Sequence, residues 1–108
     1  MALLVKYEGK EYNLDLEDMD TDQARAMERF GVKSLQALEE GIVAGEVDAL
    51  IVAYWIMLTQ NGEPGARLER QKIKPLKFVK ALLNAAREEA VAQKEREEAE
   101  AEGKDEQD

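Results

Sequence analysis

The 108-residue chain contains neither cysteine nor histidine. Without cysteine it can form no disulfide, and it offers no thiolate as a nucleophile or metal ligand. Without histidine it lacks the side chain that most often serves as a general base near neutral pH and as a ligand for transition metals. We therefore expect no enzyme activity, no cofactor and no metal site, and a function that depends on binding.

Long hydrophobic runs are scarce as well. Lys6 interrupts the apolar N-terminus too early for a signal peptide or a membrane span. The most apolar segment, Val47–Gln60, has 14 residues, whereas a helix needs about 20 to cross a bilayer. We therefore expect no membrane partner and a cytosolic location.

Positive charge is outweighed by negative charge, and the imbalance lies at one end of the chain. The formal net charge is −9, of which −6 falls in residues 95–108 and only −3 in residues 1–94. The phosphate groups of nucleic acid repel such a chain unless its basic residues are gathered on one face. The most basic segment, Arg67–Lys80, contains no aromatic residue except Phe78, so we expect no nucleic-acid partner.

Acidic residues occur in pairs, such as Glu39-Glu40, and in a cluster from Asp15 to Asp22. Neighbouring glutamates on a helix point about 100° apart, and none has a partner that would make an acid–base pair. The cluster lacks the central glycine and the final glutamate of an EF-hand loop, and helix capping explains it better. Neither feature predicts a catalytic or calcium site.

The residue pattern predicts a mainly α protein, a small helical domain with an N-terminal β-hairpin and a long C-terminal helix that ends in an acidic tail. Apolar residues alternate on either side of Glu8-Gly9-Lys10, which favours a hairpin in residues 1–16. Beyond Ala92 no apolar residue is larger than alanine. We predict one domain over residues 1–92 and an acidic tail over residues 93–108, either helical or disordered.

Helix start and stop signals divide the middle of the chain. A helix over Thr21–Phe30 is predicted to end at Gly31, and a second is predicted to begin after Ser34 and to fade at Gly41 and Gly45. The third, Val47–Gln60, has almost no polar face, which is typical of a buried helix. We assign Trp55 as its core anchor. The alternative is that part of this helix is an oligomer contact, so a homo-oligomer stays open.

A long helix is predicted to begin at Pro75, because the missing N–H of proline costs little in a first helical turn. Apolar residues recur along it at spacings of three and four, as in a heptad repeat. We call these residues the seam, and they are Leu76, Val79, Leu83, Ala86 and Ala90. The seam either packs on the body of the protein or binds a partner, and the pattern leaves both open.

The order of elements over residues 12–62 resembles a known family. The segments that carry the resemblance are Tyr12–Leu16, Asp22–Glu28 with Gly31, Leu35–Gly41 and Gly45–Trp55. Together they resemble the tail assembly chaperones of long-tailed bacteriophages, especially those that infect actinobacteria. The resemblance covers about half of the chain and does not extend past residue 62.

The resemblance implies binding without catalysis. Members of the family coat the long, aggregation-prone tape measure protein, recruit tail tube protein and leave before the virion is finished. The implied partners are therefore the tape measure protein and the tail tube protein. The implied location is the host cytoplasm, with no place in the mature virion. The acidic tail would keep such a complex soluble by charge repulsion.

The family often makes a second, longer product by programmed −1 ribosomal slippage. Glu102-Gly103-Lys104 can be written GAG-GGA-AAG, which contains the slippery heptamer G-GGA-AAG. Gly103 and Lys104 therefore mark a candidate frameshift site close to the last residue of the chain. The same tripeptide occurs at residues 8–10, where slippage would serve no purpose, so the hypothesis rests on position and not on the tripeptide itself.

Two other functions stay open. A structural virion component, such as a minor tail protein or a head–tail connector, would persist in purified particles, whereas a chaperone would be absent from them. An acidic DNA-mimic inhibitor would compete with DNA for a DNA-binding protein. The small net charge of residues 1–94 gives this last alternative little support.

Overall fold

Over the described residues, a two-stranded sheet and four α-helices make up the fold. The computed structural model describes residues 2–63 and 67–105, and it describes side chains up to residue 99. The elements in chain order are β1 (Ala2–Tyr7), β2 (Lys10–Asp15), α1 (Thr21–Phe30), α2 (Leu35–Ala44), α3 (Val47–Gln60) and α4 (Pro75–Asp105). Short 3-10 turns lie at Leu16–Asp18 and Leu68–Arg70. The predicted fold class is therefore confirmed.

The hairpin forms because each strand carries one apolar face. β1 and β2 are antiparallel, and Val5 pairs with Tyr12 across the sheet. Both of these side chains are buried. The turn residues Glu8 and Gly9 have positive φ angles of 50° and 77°, as a two-residue turn requires if it is to match the twist of the strands.

Side-chain caps and glycines set the boundaries of α1 and α2. Asp20 accepts a hydrogen bond from the backbone N–H of Gln23 at 2.8 Å, and the Gln23 side chain accepts one from the N–H of Asp20 at 3.0 Å. Ser34 accepts from the N–H of the third residue of α2 at 3.0 Å. Gly31 and Gly45 end the two helices in the left-handed conformation. α2 thus continues through its internal glycine and ends only at Gly45.

α3 lies at the centre of the core. It contacts α1, α2, α4 and β2, and eight of its 14 residues are buried. Val52 and Ile56 are fully buried, and Trp55 is only 9% exposed. Trp55 therefore lies in the core, where the pattern assigned it. Within the described residues no charged side chain is buried, and apart from aromatic residues the buried side chains are apolar, so this core is held mainly by apolar packing.

α4 is held on the body by a buried stripe that differs from the seam. The members of this buried stripe are Phe78, Ala81, Leu82 and Ala85. The Phe78 ring packs edge-to-face against Tyr7 and Tyr54, with ring centroids 5.2 and 5.5 Å away. The two tyrosine rings are themselves 5.6 Å apart. These three rings, which we call the aromatic cluster, join β1, α3 and α4, and such geometry is favourable for aromatic pairs.

The acidic tail continues α4 as helix. The helix passes the predicted boundary at residue 92 and extends to Asp105, and its side chains over residues 93–99 are exposed. Residues 106–108 of the predicted tail lie outside the described residues. In the described part, no single helix is long and apolar enough to cross a membrane. α2 and α3 meet both conditions only as a pair, and a 114° bend separates them.

Candidate functional site

The seam lies on the outer side of α4. Leu76 is 67% exposed and Leu83 is 57% exposed, and the seam alanines are exposed as well. Val79 alone among the seam residues is partly buried against the core. The buried stripe already holds α4 on the body, so it leaves the seam facing solvent. An exposed aliphatic face on a folded helix is a candidate binding surface.

A groove opens at the beginning of the seam, beside the corner between α2 and α3. Its volume is about 240 Å³, and its lining residues are Gly45, Leu50, Pro75, Leu76 and Val79. None of these residues has a charged or polar side chain. The groove and the seam share Leu76 and Val79, so they form one continuous apolar surface on which an apolar anchor of a partner could insert.

The outer edge of β2 is closed by two side-chain amides from the end of α3. Asn61 Nδ2 donates to the carbonyl of Asn13 at 2.7 Å, and its Oδ1 accepts from the N–H of Asn13 at 3.1 Å. Gln60 makes the same pair of bonds with the backbone of Asp15, at 2.7 and 2.9 Å. The two amides occupy the positions that a neighbouring strand would use. A partner strand would have to displace them before it could add to this edge.

The outer side of β1 is occupied by α4. Leu4 and Lys6 of β1 line a narrow cleft of about 80 Å³ together with Ala81 and Ala85 of α4. The small side chains of the alanines let the helix pack closely along the strand. Between the hairpin edge and the seam, the fold therefore leaves the seam more open to a partner.

The titratable side chain whose pKa is clearly shifted lies outside the seam. Burial raises the pKa of Tyr54, and nearby Tyr12, Tyr7 and acidic residues raise the pKa further by smaller amounts. This phenol belongs to the aromatic cluster and not to the seam. Among the described residues, no group of three or more acidic side chains is placed to hold a metal ion.

No protein-family model, curated protein or solved structure matches the chain. The function has to be inferred from the surface that the fold leaves open and from the resemblance of residues 12–62. The candidate frameshift residues Gly103 and Lys104 lie within α4, but their side chains are outside the described part. That hypothesis concerns codons, so the geometry of the helix does not bear on it.

Two groups of residues that shape the site have only weak signals in the sequence. Phe78 and Leu82 stand four positions apart, which is helical spacing, but their stripe is completed by two alanines and competes with the more regular seam. Gln60 and Asn61 look like an ordinary polar end to an apolar helix. Their role on β2 depends on a contact between residues more than 40 positions apart.

Proposed function

We propose that the protein is a tail assembly chaperone of a long-tailed bacteriophage. In this role it binds the tape measure protein and recruits tail tube protein in the host cytoplasm, without catalysing a reaction. The observation that carries the proposal is the exposed seam of α4 and the apolar groove at its beginning. The resemblance of residues 12–62 to this family supports it independently.

The chemistry of the seam suits a helical client. Apolar residues at spacings of three and four present one stripe, which is how an amphipathic helix recognises the apolar face of another helix. Burial of Leu76 and Leu83 against a client removes apolar area from water on both molecules and so favours association. The same burial covers the client's apolar face, which would otherwise drive aggregation.

The rest of α4 suits a protein that must keep a client in solution. Beyond residue 92 the described side chains of the helix are exposed and mostly charged. The segment has a strong negative balance, −6 over residues 95–108. A complex that carries such a segment repels other copies of itself, which opposes precipitation.

Co-expression of the full chain with the tape measure protein of the same phage tests the proposal. We expect the tape measure protein to stay soluble and to co-purify with the chain. The double variant Leu76→Asp with Leu83→Asp should lose this co-purification, because docking would bury two carboxylates against apolar groups. Both positions are exposed, so circular dichroism should show the same helix content as the unaltered protein.

Leu35→Asp with Val43→Asp is the matched control. It places the same two carboxylates on exposed apolar residues of α2 that line neither the seam nor its groove, and binding should be unchanged. Failure of the unaltered chain to bind the tape measure protein would reject the proposal. If the variant Leu76→Asp with Leu83→Asp binds the tape measure protein as well as the unaltered chain does, the seam is rejected as the client surface.

Two further observations test the proposal without reference to the seam. The protein should be absent from purified virions, and its presence there in fixed stoichiometry would favour a structural virion component. The gene should carry the slippery heptamer at Gly103 and Lys104, followed by an open −1 frame. Codons that cannot re-pair at those two positions would remove the frameshift hypothesis.

A further inference from the structure

Three basic residues run along α4 beside the seam. We call Lys80, Arg87 and Lys94 the basic ridge, and all three are exposed. They are seven positions apart, so they share one side of the helix and span about 21 Å. In the part of the chain that the structure describes, none of the three is paired with a carboxylate, whereas Lys74 contacts Glu8.

The ridge borders the seam along its full length. Each ridge residue follows a seam residue by four positions, from Leu76 to Lys80 and from Leu83 to Arg87, so each cation lies one turn away from a seam side chain. Neither Lys80 nor Arg87 has an acidic residue three or four positions away on the helix. The buried stripe lies on the other side of the seam. The seam is therefore bounded by the body of the protein on one side and by unpaired cations on the other.

This arrangement selects among helical partners by charge. A helix that packs its apolar stripe on the seam places the residues flanking that stripe opposite the ridge, as flanking residues do in a coiled coil. Carboxylates at those flanking positions would pair with Lys80 and Arg87, while lysines or arginines would be repelled. The groove at Leu76 would take an apolar side chain from one end of the same helix.

A second copy of the chain is a poor occupant of the seam. Antiparallel pairing about Leu83 would bring Lys80 of one copy opposite Arg87 of the other, and these like charges repel. Parallel pairing would instead align the acidic ends of the two α4 helices. Nucleic acid fits less well than a peptide, because the surface between the ridge and the body is aliphatic and offers no aromatic ring for base stacking.

We infer that the seam and the basic ridge together bind an amphipathic helix whose apolar stripe is bordered by aspartate or glutamate on the side that faces the ridge. The inference rests on the proposed function in one respect, that the seam is the client-binding surface. It adds the charge of the segment that the surface selects.

Two synthetic peptides that form amphipathic helices test this inference. They share one apolar stripe, and glutamates flank it in the first peptide and lysines in the second. Fluorescence anisotropy with the full chain measures both affinities. We expect the glutamate peptide to bind at least about tenfold more tightly in low salt, and we expect the difference to shrink at about 1 M salt, where charges are screened within about 3 Å.

Charge reversal of the ridge sharpens the test. Lys80→Glu with Arg87→Glu should reverse the preference, so that the lysine peptide binds more tightly. The matched control is Arg25→Glu with Lys33→Glu, which makes the same change in net charge at exposed positions around α1. This control should keep the preference of the unaltered chain, because Arg25 and Lys33 line neither the seam nor its groove.

Each other outcome overturns a defined part of the inference. Equal affinity for the two peptides would show that the ridge does not select. Tighter binding of a duplex DNA probe than of the glutamate peptide, lost on ridge reversal, would assign the ridge to nucleic acid. Self-association that Leu83→Asp abolishes would assign the seam to a second copy.

The two proposals can fail separately. If the chain binds the tape measure protein but neither peptide, this inference fails and the proposed function stands. If the chain prefers the glutamate peptide but does not bind the tape measure protein, only the proposed function is rejected.

Discussion

α3 and α4 both carry many apolar residues, but the body of the protein covers most of α3 and only one face of α4. In α3 the apolar residues surround the helix axis, so a central position buries most of them. In α4 they form two stripes, and the stripe of Phe78 and Leu82 faces the body while the seam faces out. An apolar stripe therefore predicts burial only where no second stripe on the same helix competes for the body.

The variants Phe78→Ala and Leu83→Ala should differ more than any other pair, and they test this contrast on one helix. Phe78 is fully buried among aromatic rings, so its loss should lower the free energy of unfolding by about 3–5 kcal/mol. Trp55→Ala on α3 should lower the free energy of unfolding by a similar amount. Leu83 is 57% exposed, and its loss should change the free energy by less than about 0.5 kcal/mol. Urea unfolding followed by circular dichroism measures all three, and similar losses for Phe78 and Leu83 would place the seam in the core.

Gly41→Ala tests how closely α2 packs against α3. A Cβ atom at Gly41 would lie 2.6 Å from the Cβ of Ala49, and neither helix can yield without a shift of backbone. We expect a loss of about 1–3 kcal/mol in the free energy of unfolding, despite the better helix propensity of alanine. Adding Ala49→Gly removes the clash, so the double variant should recover part of the loss. Simple additivity of the two single effects would contradict this packing.

The boundaries of α1 and α2 could be predicted because each of them has its own local signal. Asp20 and Ser34 cap helix starts, and Gly31 and Gly45 adopt the left-handed conformation that ends helices. Each of these signals acts within a few residues, so it does not depend on the rest of the fold.

The candidate site could be predicted only in part, since its exposure depends on which stripe of α4 packs against the rest of the protein. The regular spacing of Leu76 and Leu83 shows a stripe but not its surroundings. Which stripe of α4 is buried depends on the aromatic cluster, in which Phe78 meets Tyr7 from a strand about 70 positions earlier in the chain. Spacing within one helix carries no information about such a contact.

Asn61→Ala tests the closure of β2 by the end of α3. Asn61 makes two hydrogen bonds with the backbone of Asn13 and a third, at 2.6 Å, with the carbonyl of Met57. Their loss should lower the free energy of unfolding by about 1–2 kcal/mol, as measured by urea denaturation. Gln36→Ala is the control, because it removes an exposed amide whose hydrogen bond goes to Glu40 on the same helix. If both variants lower the free energy of unfolding by equally small amounts, the amides do not hold the sheet on α3.

Tyr54→Phe should have the smallest effect, and it examines the point where α3 meets α4. Burial raises the pKa of Tyr54 in the folded protein, so the folded state holds the phenolic proton more firmly than the unfolded state does. The associated stability is fully present below about pH 10, the ordinary tyrosine pKa, and is lost as pH rises through the folded pKa. Phenylalanine keeps the ring contacts but has no proton to lose. Urea unfolding at a series of pH values should therefore show stability falling more steeply above about pH 10 for the unaltered protein than for the variant. Parallel curves would mean that the phenol of Tyr54 is as well solvated in the folded protein as in the unfolded chain, and that the junction between α3 and α4 admits water.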